Sequence, residues 1–550
     1  MMSVADAASS TMPTDLSQLP WWKGAVIYQI YPRSFRDTNG DGIGDLRGVL
    51  QGLDHIASLG VDGIWISPFF TSPMADYGYD VADFCEVDPI FGTLEDFDAV
   101  VEKAHSLGLK VIIDQVYSHT SDHHDWFIES RSSRQNPRAN WYVWADPKPD
   151  GSPPNNWQSV FGGVSWEWDA RRGQYYFHNF LKEQPDLNLH NEEVQDALIA
   201  AGRFWLDRGV DGFRLDALNF AMHDRNLRDN PPSGLSAHEV SRPFYMQQHK
   251  YNMSQPEIVD FIEKFRAMLD EYPGTFTVAE VGGPNPIEEM KAFTQGGRRL
   301  NSAYNFDFLY AESLDAERVM DSAGLWDQAP GEGWPSWAFS NHDAPRAVSR
   351  WAPLEHREEM ARVYMMLLLT LRGNPIIYQG EELALPQASV PFSKLKDPEA
   401  ITNWPKTLGR DGARTPMPWE GAKRNAGFSS VEPWLPIDPE HARLAVDQQQ
   451  GNDSMLRFTS QALRARKQFP ALLQGGMRFE ASGQSSVLIL ERQHQGESIL
   501  AVFNFGDTPF KIPESLDSKG DLLLSSRPLK EDLLSDKAVP ERMGVWIRAV

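Results

Sequence analysis

Cysteine is almost missing from this chain of 550 residues, in which Cys85 is the only one. A lone cysteine excludes any disulfide within the chain and suits a reducing compartment. No apolar run approaches the roughly 18 residues that a membrane-spanning helix needs. The N-terminal segment also lacks the basic and apolar regions of a secretory signal. We therefore expect a cytoplasmic protein that acts away from membranes.

Basic residues are in deficit, because 52 Lys and Arg stand against 76 Asp and Glu, for a formal net charge of −24. That balance argues against nucleic acid or an anionic membrane as a partner and suits a small neutral substrate. Hydrophobic residues make up 41%, which is enough to fill a globular core. The length predicts one large domain with smaller ones, and the composition favours no particular oligomeric state.

Eight short apolar segments, each followed by a helical pattern, occupy the first two thirds of the chain. Near-continuous apolar strands that alternate with helices indicate parallel strands covered on both faces. Eight such units predict an α/β fold with a (β/α)₈, or TIM, barrel. The segments begin at Ala25, Val61, Leu109, Gly209, Thr275, Ala303, Trp337 and Asn374.

The spacing of these segments predicts the domain organisation. About 90 residues separate the third segment from the fourth, far more than an ordinary connection. Their first part is rich in Trp, Pro, Asn, Ser and Gly, which indicates a subdomain inserted over the C-terminal face of the barrel, where barrel active sites lie. After Lys467, alternating strands with turn residues predict an antiparallel β-sandwich. We predict a barrel over 15–116 and 189–467, an inserted subdomain over 117–188 and a sandwich over 468–550.

Acidic residues lie at the predicted C-terminal ends of three barrel strands. Arg214 and Asp216 are two residues apart and point to the same side of the fourth strand. A fixed guanidinium lowers the pKa of a neighbouring carboxylate, which then stays ionised as a nucleophile must. Glu280 ends an apolar strand, where burial raises the pKa of a carboxyl so that it can donate a proton near neutrality. Asp343 follows His342 at the end of the seventh strand. Any one of these could be an ion pair or a cap, but three together indicate catalysis.

The chain resembles glycoside hydrolase family 13, the α-amylase family, and within it the oligo-1,6-glucosidase and α-glucosidase branch. The matching segments stand in family order and cover nearly the whole length. The pentapeptide QPDLN is the variant typical of that branch rather than of true α-amylases. The segments are DQVYSHT from Asp114, QPDLN from Gln184, GFRLDALNF from Gly212, AEVGG from Ala279 and SNHD from Ser340.

This resemblance implies a retaining glycosidase with Asp216 as nucleophile, Glu280 as general acid/base and Asp343 as stabiliser of the transition state. Retaining hydrolysis needs two carboxyl groups about 5–5.5 Å apart. Glu280 would protonate the leaving oxygen while Asp216 attacks the anomeric carbon, and water, a sugar or an alcohol would then accept the glucosyl group. No organic cofactor is implied. The resemblance also implies that glucose is held by Asp76, Tyr79, His119, His342 and Arg410, with Phe161 and Phe180 as apolar walls and Arg214 keeping Asp216 ionised.

Linkage preference is expected to depend on Ala217, which directly follows the nucleophile. In the resembling branch, Val at this position accompanies α-1,6 preference, and smaller or polar residues accompany α-1,4 preference. We therefore expect cleavage of maltose-like α-1,4 bonds, together with transglucosylation. The alternatives are an oligo-1,6-glucosidase or a sucrose- or trehalose-forming glucosyl mutase with the same catalytic residues. Non-catalytic relatives that assist amino-acid transporters carry a membrane anchor and lack the catalytic residues, unlike this chain.

A cation site is indicated by DTNGDGIGD, which begins at Asp37. Oxygen ligands at positions 1, 3, 5, 7 and 9, with Gly at 6, follow the EF-hand calcium loop without its terminal Glu. The segment resembles a loop that binds calcium or magnesium in many oligo-1,6-glucosidases, so we expect one structural Ca²⁺ or Mg²⁺. The alternative is a turn without metal. Because Ser118 replaces an Asn that contributes to a calcium site in amylases, that second site is not expected. The predicted ligands are Asp37, Asn39, Asp41, the carbonyl of Ile43, and Asp45.

Overall fold

Eight parallel strands form the centre of the structure, which is a computed structural model. Residues 15–19, at the start of the predicted barrel domain, lie outside the described residues, and so do parts of the predicted sandwich, including Val550. The structure describes residues 20–236, 238–283, 285–328, 333–407, 409–516, 520–528 and 538–549.

These strands close into a barrel. Neighbouring strands pair in the order β6-β5-β4-β3-β2-β1-β8-β7, and the ring closes where Ala303 pairs with Pro335. The TIM-barrel prediction is therefore confirmed, and each predicted apolar segment overlaps one strand. The strands are β1 (Ile27–Ile30), β2 (Gly63–Ile66), β3 (Lys110–Val116), β4 (Gly212–Asp216), β5 (Phe276–Val281), β6 (Ser302–Asn305), β7 (Ser336–Ala338) and β8 (Asn374–Tyr378).

Alternation along the strands separates two apolar layers. In β4, Phe213 and Leu215 join the large cluster that packs against the surrounding helices. Ile112 and Val278 belong to a separate, smaller cluster. Because successive side chains of a strand point to opposite faces, Arg214 points away from the side of Phe213 and Leu215. The buried strand thus delivers polar groups into the barrel without exposing its flanks.

The helices surround this barrel, and their ends follow local capping rules. Asp45 caps α1 by accepting from the Gly48 amide, and Thr93 forms a capping box with Asp96 at α2. Within the described residues, no helix combines the length and the apolarity needed to traverse a membrane. The helices are α1 (Leu46–Leu59), α2 (Leu94–Ser106), α3 (Asp125–Ser132), α4 (Glu192–Asp207), α5 (Ile258–Leu269), α6 (Pro286–Thr294), α7 (Ala316–Gln328), α8 (Ala347–Trp351), α9 (Arg357–Thr370), α10 (Pro398–Asn403), α11 (Asp411–Arg414), α12 (Pro439–Arg443), α13 (Met455–Lys467) and α14 (Pro470–Gln474).

A small antiparallel sheet lies between β3 and β4, inside the predicted inserted subdomain. Its strands are Trp144–Ala145, Trp166–Asp169 and Gln174–Phe177. They share an apolar cluster of their own, built around Trp157. A bridge between His119 and Asp186 joins the two ends of the segment. The insertion therefore begins and ends at the mouth of the barrel.

The C-terminal region is an antiparallel β domain that docks on the barrel, as predicted. Its five-stranded sheet has the order β9-β10-β11-β13-β12. A ribbon of Phe510–Lys511 and Ala538–Val539 shares an apolar cluster with this sheet, while Arg492 and Trp546 hydrogen bond to Thr370 of α9. The strands are β9 (Gly476–Glu480), β10 (Val487–His494), β11 (Glu497–Asn504), β12 (Leu522–Ser525) and β13 (Met543–Ala549).

Gly212 lets β4 pair closely with β5, and we expect Gly212→Ala to destabilise the barrel. A Cβ at this position would lie 2.0 Å from the carbonyl oxygen of Phe276. The strands would have to separate, at a cost of at least the 1–3 kcal/mol or so typical of overpacking. The melting temperature should therefore fall clearly. Gly476→Ala is the matched control, because nothing lies within 4 Å of its added Cβ. Equal melting temperatures for the two variants would contradict this account.

Candidate active site

A cavity of about 1090 Å³ opens at the C-terminal ends of the barrel strands. Val160, Phe161 and Phe180 of the inserted segment contribute to its walls, together with residues of the segment between β4 and α5. All but two of the residues predicted to act on substrate line it. Arg214 and His342 are the exceptions, and both are fully buried against residues that do line the cavity. The predicted residues on the wall are Asp76, Tyr79, His119, Phe161, Phe180, Asp216, Ala217, Glu280, Asp343 and Arg410.

Arg214 holds three carboxyl groups together. Its Nη1 donates to Asp114 Oδ1 at 2.8 Å and also to Asp216. Its Nη2 forms an ion pair with Glu280 Oε1 at 2.7 Å. The Tyr304 hydroxyl accepts from Nη2 at 2.9 Å and donates to Glu280 at 3.2 Å. One guanidinium therefore sets the positions of the two predicted catalytic carboxyl groups relative to each other.

Burial dominates the protonation of these carboxyl groups. It raises the pKa of Asp216 to about 7, although Arg214 opposes the rise. It likewise raises the pKa of Glu280 to about 7 and that of Asp114 to about 6. The lowered pKa expected for Asp216 from its neighbour Arg214 is therefore wrong, because buried carboxylates lose hydration and three of them share one cation. Near neutral pH, one of these three carboxyl groups can therefore be protonated while its neighbour is ionised.

Asp343 lies in the opposite electrostatic environment. Burial favours its neutral form, but His342, Arg414 and Arg410 together lower the pKa of Asp343 well below its usual range. Arg414 Nη2 donates to Asp343 Oδ1 at 2.6 Å, and His342 Nε2 lies 3.2 Å from Oδ2. This carboxylate stays ionised at neutral pH.

A buried ion-pair network forms the cavity wall beside Asp343. Arg410 donates to Asp76 at 2.7 Å and to Asp397 at 2.8 Å, and its guanidinium lies 5.1 Å from the ring centre of Phe161. Asp76 is 4% exposed and Arg410 is 8% exposed. Such a paired wall offers fixed donors and acceptors to a ligand without a large net charge.

His119 stands on this wall as a neutral imidazole, because burial lowers its pKa to about 4. Ser118, which departs from the family pattern, lies with its hydroxyl 2.9 Å from Nδ1. The Nε2 atom lies 3.1 Å from the carbonyl oxygen of Tyr79 and donates to it. The ring of Phe180 lies 5.1 Å from that of His119. The replacement at Ser118 thus leaves His119 well oriented.

Ala217 has an unusual backbone conformation, with φ at 39° and ψ at 42°. This left-handed turn points its amide at Glu280, to which it donates at 3.1 Å. Residues with a side chain rarely adopt this region, and β-branched ones least of all. The turn after β4 therefore orients the predicted acid as well as shaping the cavity beside it.

Several functional neighbours were missed in the sequence. Asp114 begins the family segment DQVYSHT, and an acid within an otherwise apolar strand could have been predicted to belong to the site. Arg414 lies only four residues from Arg410, on a stretch already singled out. Asp397 and Glu399, which pair with Arg410 and Arg242, lie at the start of α10, a helix of six residues that is too short for a periodic pattern to mark them.

The predicted cation loop has the turn that its pattern requires, because Gly42 has a φ of 89°. Its carboxylates are hydrogen bonded within the protein: Asp37 accepts from the amides of Gly40 and Gly42 at 2.7 and 2.9 Å, and Asp45 accepts from that of Gly48 at 2.7 Å. Oxygen donors suit Ca²⁺ and Mg²⁺. Among the side chains that the structure describes, no group of three or more His, Cys, Asp or Glu is arranged to hold a metal. The oxygen donors of the loop are of the type that a hard cation binds, and metal binding stays a prediction.

Comparison with known proteins adds a family context to this geometry. The family model of the α-amylase catalytic domain matches residues 29–475. A Rhizobium meliloti (strain 1021) protein named "Probable alpha-glucosidase" is 51% identical over 533 residues, which are 94% of this chain and 96% of that protein. The oligo-1,6-glucosidase of Heyndrickxia coagulans is 36% identical, over 92% of this chain and 96% of its own.

Solved structures show the same similarity. The crystal structure of the alpha-glucosyl transfer enzyme XgtA superposes with a TM-score of 0.90 at 47% identity, covering 97% of this chain and 100% of that one. An isomaltulose synthase from Erwinia rhapontici NX5, solved with sucrose, superposes with a TM-score of 0.88 at 32% identity, covering 96% and 99%.

Proposed function

Since the chain belongs to the α-amylase family of glycoside hydrolases, we propose that it is a retaining enzyme that removes terminal glucose from short α-glucosides such as maltose. It is an enzyme of the α-glucosidase and oligo-1,6-glucosidase kind. One observation carries the proposal: Asp216 and Glu280 share Arg214 within a cavity whose other side presents ionised Asp343. The single cysteine supports our further proposal of a cytoplasmic location.

Two carboxyl groups with raised pKa values can divide the work of double displacement. Glu280 in its protonated form donates to the glycosidic oxygen as the bond breaks. Asp216 attacks the anomeric carbon in its ionised form and becomes glucosylated. Glu280, now a carboxylate, takes a proton from the acceptor in the second step. Asp343 stays ionised and hydrogen bonds to sugar hydroxyls as positive charge develops on the ring.

The wall around Asp343 suits one neutral glucose. Arg410 and Asp76 offer charged hydrogen-bonding groups that are already paired, so a neutral sugar adds no uncompensated charge. His119 and His342 are neutral because burial lowers the pKa of both imidazoles. Phe161 would contribute apolar contact to the sugar ring. This arrangement supports binding of a terminal glucose rather than of a charged ligand.

The opposite part of the cavity leaves room for an acceptor. Asn219, Met253 and Phe306 line it beyond Ala217. A sugar or alcohol that enters here in place of water would receive the glucosyl group from Asp216. The similarity to an alpha-glucosyl transfer enzyme supports this second activity. We therefore include transglucosylation in the proposed function.

Replacement of the proposed nucleophile is the direct test. Asp216→Ala should abolish turnover of p-nitrophenyl α-glucoside, with a loss of about 10⁴-fold or more, because no covalent intermediate can form. Circular dichroism and the melting temperature establish whether the variant is folded. Near-normal activity in a folded Asp216→Ala protein would contradict the proposed mechanism.

The pH profile should report the proposed acid. Glu280 works when protonated, and its pKa is raised to about 7 by burial. Loss of this proton should make kcat/KM for maltose fall as the pH rises through about 7. On the acid side, kcat/KM should fall as Asp216, whose pKa burial also raises to about 7, becomes protonated. In Glu280→Gln this high-pH limb should disappear. Residual activity should be highest on α-glucosyl fluoride, whose leaving group needs little protonation. An unchanged alkaline limb in Glu280→Gln would assign the limb to another group.

Linkage choice should follow the bulk at Ala217. We expect wild-type kcat/KM to be higher for maltose than for isomaltose, and Ala217→Val to shift the ratio toward isomaltose. Two added methyl groups in a pocket are worth about 1–3 kcal/mol, or roughly 10–200-fold in discrimination. Because Val is also strained at positive φ, Ala217→Gly serves as the control that relieves the backbone without adding bulk. A wild-type preference for isomaltose would favour the oligo-1,6-glucosidase alternative, and isomeric products from sucrose or trehalose would favour a mutase.

We also propose one structural Ca²⁺ or Mg²⁺ on the loop from Asp37 to Asp45. Removal of the metal with a chelator should lower the melting temperature and leave kcat of the still-folded enzyme unchanged, because the loop precedes α1 and contributes no residue to the cavity wall. Metal analysis of the isolated protein should give one equivalent per chain, lost in Asp41→Ala. Protein that contains no metal and is indifferent to chelation would leave the loop as a simple turn.

A further inference from the structure

Gln29 lies on β1 beneath the cavity and contacts His342. Its side chain is fully buried. The amide Nε2 lies 2.8 Å from His342 Nδ1 and donates to Ser67 Oγ at 3.2 Å. The amide nitrogen has two hydrogens to donate and cannot accept, so one hydrogen can go to His342 Nδ1 and the other to Ser67 Oγ. His342 Nδ1 would then have to be the unprotonated ring nitrogen.

The contacts of the other ring nitrogen, Nε2, require the same tautomer. His342 Nε2 lies 2.5 Å from the Tyr79 hydroxyl and 3.2 Å from Asp343 Oδ2. Asp343 is ionised and can only accept, so an unprotonated Nε2 would place a lone pair against a carboxylate. Burial lowers the pKa of His342 to about 3, which leaves a single ring proton at neutral pH. That proton belongs on Nε2, and Gln29 must present its nitrogen, not its oxygen, to the ring.

The position of this proton also orders the next hydrogen bonds. With Nε2 as donor, the Tyr79 oxygen accepts, and its own hydrogen is free to reach Asp114 Oδ2 at 3.1 Å. Asp114 in turn holds Arg214 at 2.8 Å. With the opposite tautomer, Tyr79 would donate to His342 and Asp114 would lose one of its donors. The tautomer therefore links β1 to the carboxyl groups around Arg214.

We propose that Gln29 is a positioning residue that donates to His342 Nδ1 and thereby fixes the imidazole as the Nε2–H tautomer directed at Asp343 and Tyr79. The inference rests on the proposed function only for its effect on catalysis. The tautomer itself can be observed without substrate. Gln29 contributes nothing to the cavity wall and acts entirely through His342.

The surroundings of the imidazole leave no competing partner for Nδ1 among the described residues. Tyr31 stacks on the ring at 5.4 Å, and Trp65 meets it edge-on at 6.2 Å. Arg414 donates to the His342 carbonyl oxygen at 2.7 Å rather than to the ring. The titratable and charged groups that face His342 are Asp343, Tyr79, Tyr31, Arg414, Arg410 and Arg214.

The first test is the ¹⁵N NMR spectrum of the full chain labelled at histidine. The chain has 14 histidines, so the His342 signals are identified by their absence from His342→Gln. We expect an unprotonated Nδ1 and a protonated Nε2 that remain so on acidification to pH 5. A protonated Nδ1 in the wild-type protein would overturn the proposal. Because no substrate is present, this outcome is independent of the proposed reaction.

The second test removes the donor with Gln29→Leu. We expect the His342 Nδ1 signal to move as its hydrogen bond is lost. We also expect kcat/KM on p-nitrophenyl α-glucoside to fall about 10- to 100-fold, the same order as the loss when the partner that orients a metal-ligating histidine is removed. Most of the loss should be in kcat, since Asp343 acts in the transition state. A folded Gln29→Leu with wild-type His342 signals and kcat would overturn the proposal.

Tyr28→Phe is the matched control for stability. Tyr28 is the preceding, fully buried residue of β1, and its hydroxyl donates to Glu382 at 2.8 Å on the other side of the strand. Its loss should lower the melting temperature without moving the His342 signals or kcat. The same spectral change in Tyr28→Phe would show that β1 acts only as general scaffold and would overturn the specific role of Gln29. If Gln29→Leu fails to fold, the wild-type spectrum still decides the tautomer.

Discussion

The ion pairs of Arg214 are the interaction on which the rest of this site depends. A single buried guanidinium contacts Asp114, Asp216 and Glu280, so the three carboxyl groups cannot all ionise freely in surroundings that lack water. An uncompensated charge at this depth would be far more costly than the ion pairs are stabilising. The barrel tolerates the cluster only because protons can be shared among its members. That sharing is also what acid/base chemistry needs.

The parallel barrel explains how so many charged groups can be gathered without loss of the fold. Side chains of one strand alternate between the helices and the barrel centre, so Phe213 and Leu215 supply packing while Arg214 carries charge. Asp114 lies opposite Arg214 in the register of β3 and β4. Glu280 comes from β5, the next strand along. Each element contributes one or two polar groups, and the apolar flanks of every strand remain intact.

The alternation of apolar strands and helices was enough to predict the barrel, and the acids at the strand ends predicted its functional face. Family motifs identified the residues that line the cavity wall. The protonation states could not be predicted from the sequence. The pKa of Asp216 depends on how many carboxyl groups share Arg214, and only the closed barrel determines that number. Asp397 was equally hidden: it lies at the start of α10, which is too short for a periodic pattern, and only the folded chain shows its contact with Arg410.

The two sides of the cavity differ in the ratio of cations to carboxyl groups, and this ratio separates their roles. Around Arg214 one cation serves three acids, burial dominates, and the pKa values of Asp216 and Glu280 both rise. Around Asp343 the guanidinium groups of Arg410 and Arg414 outweigh the same burial. Residues of one chemical type thus become a proton donor and a permanent anion within a single cavity. Removal of Arg414 would therefore raise the pKa of Asp343, whereas an added cation beside Glu280 would lower the pKa of Glu280. The distribution of arginines therefore governs the site as much as the identity of its acids.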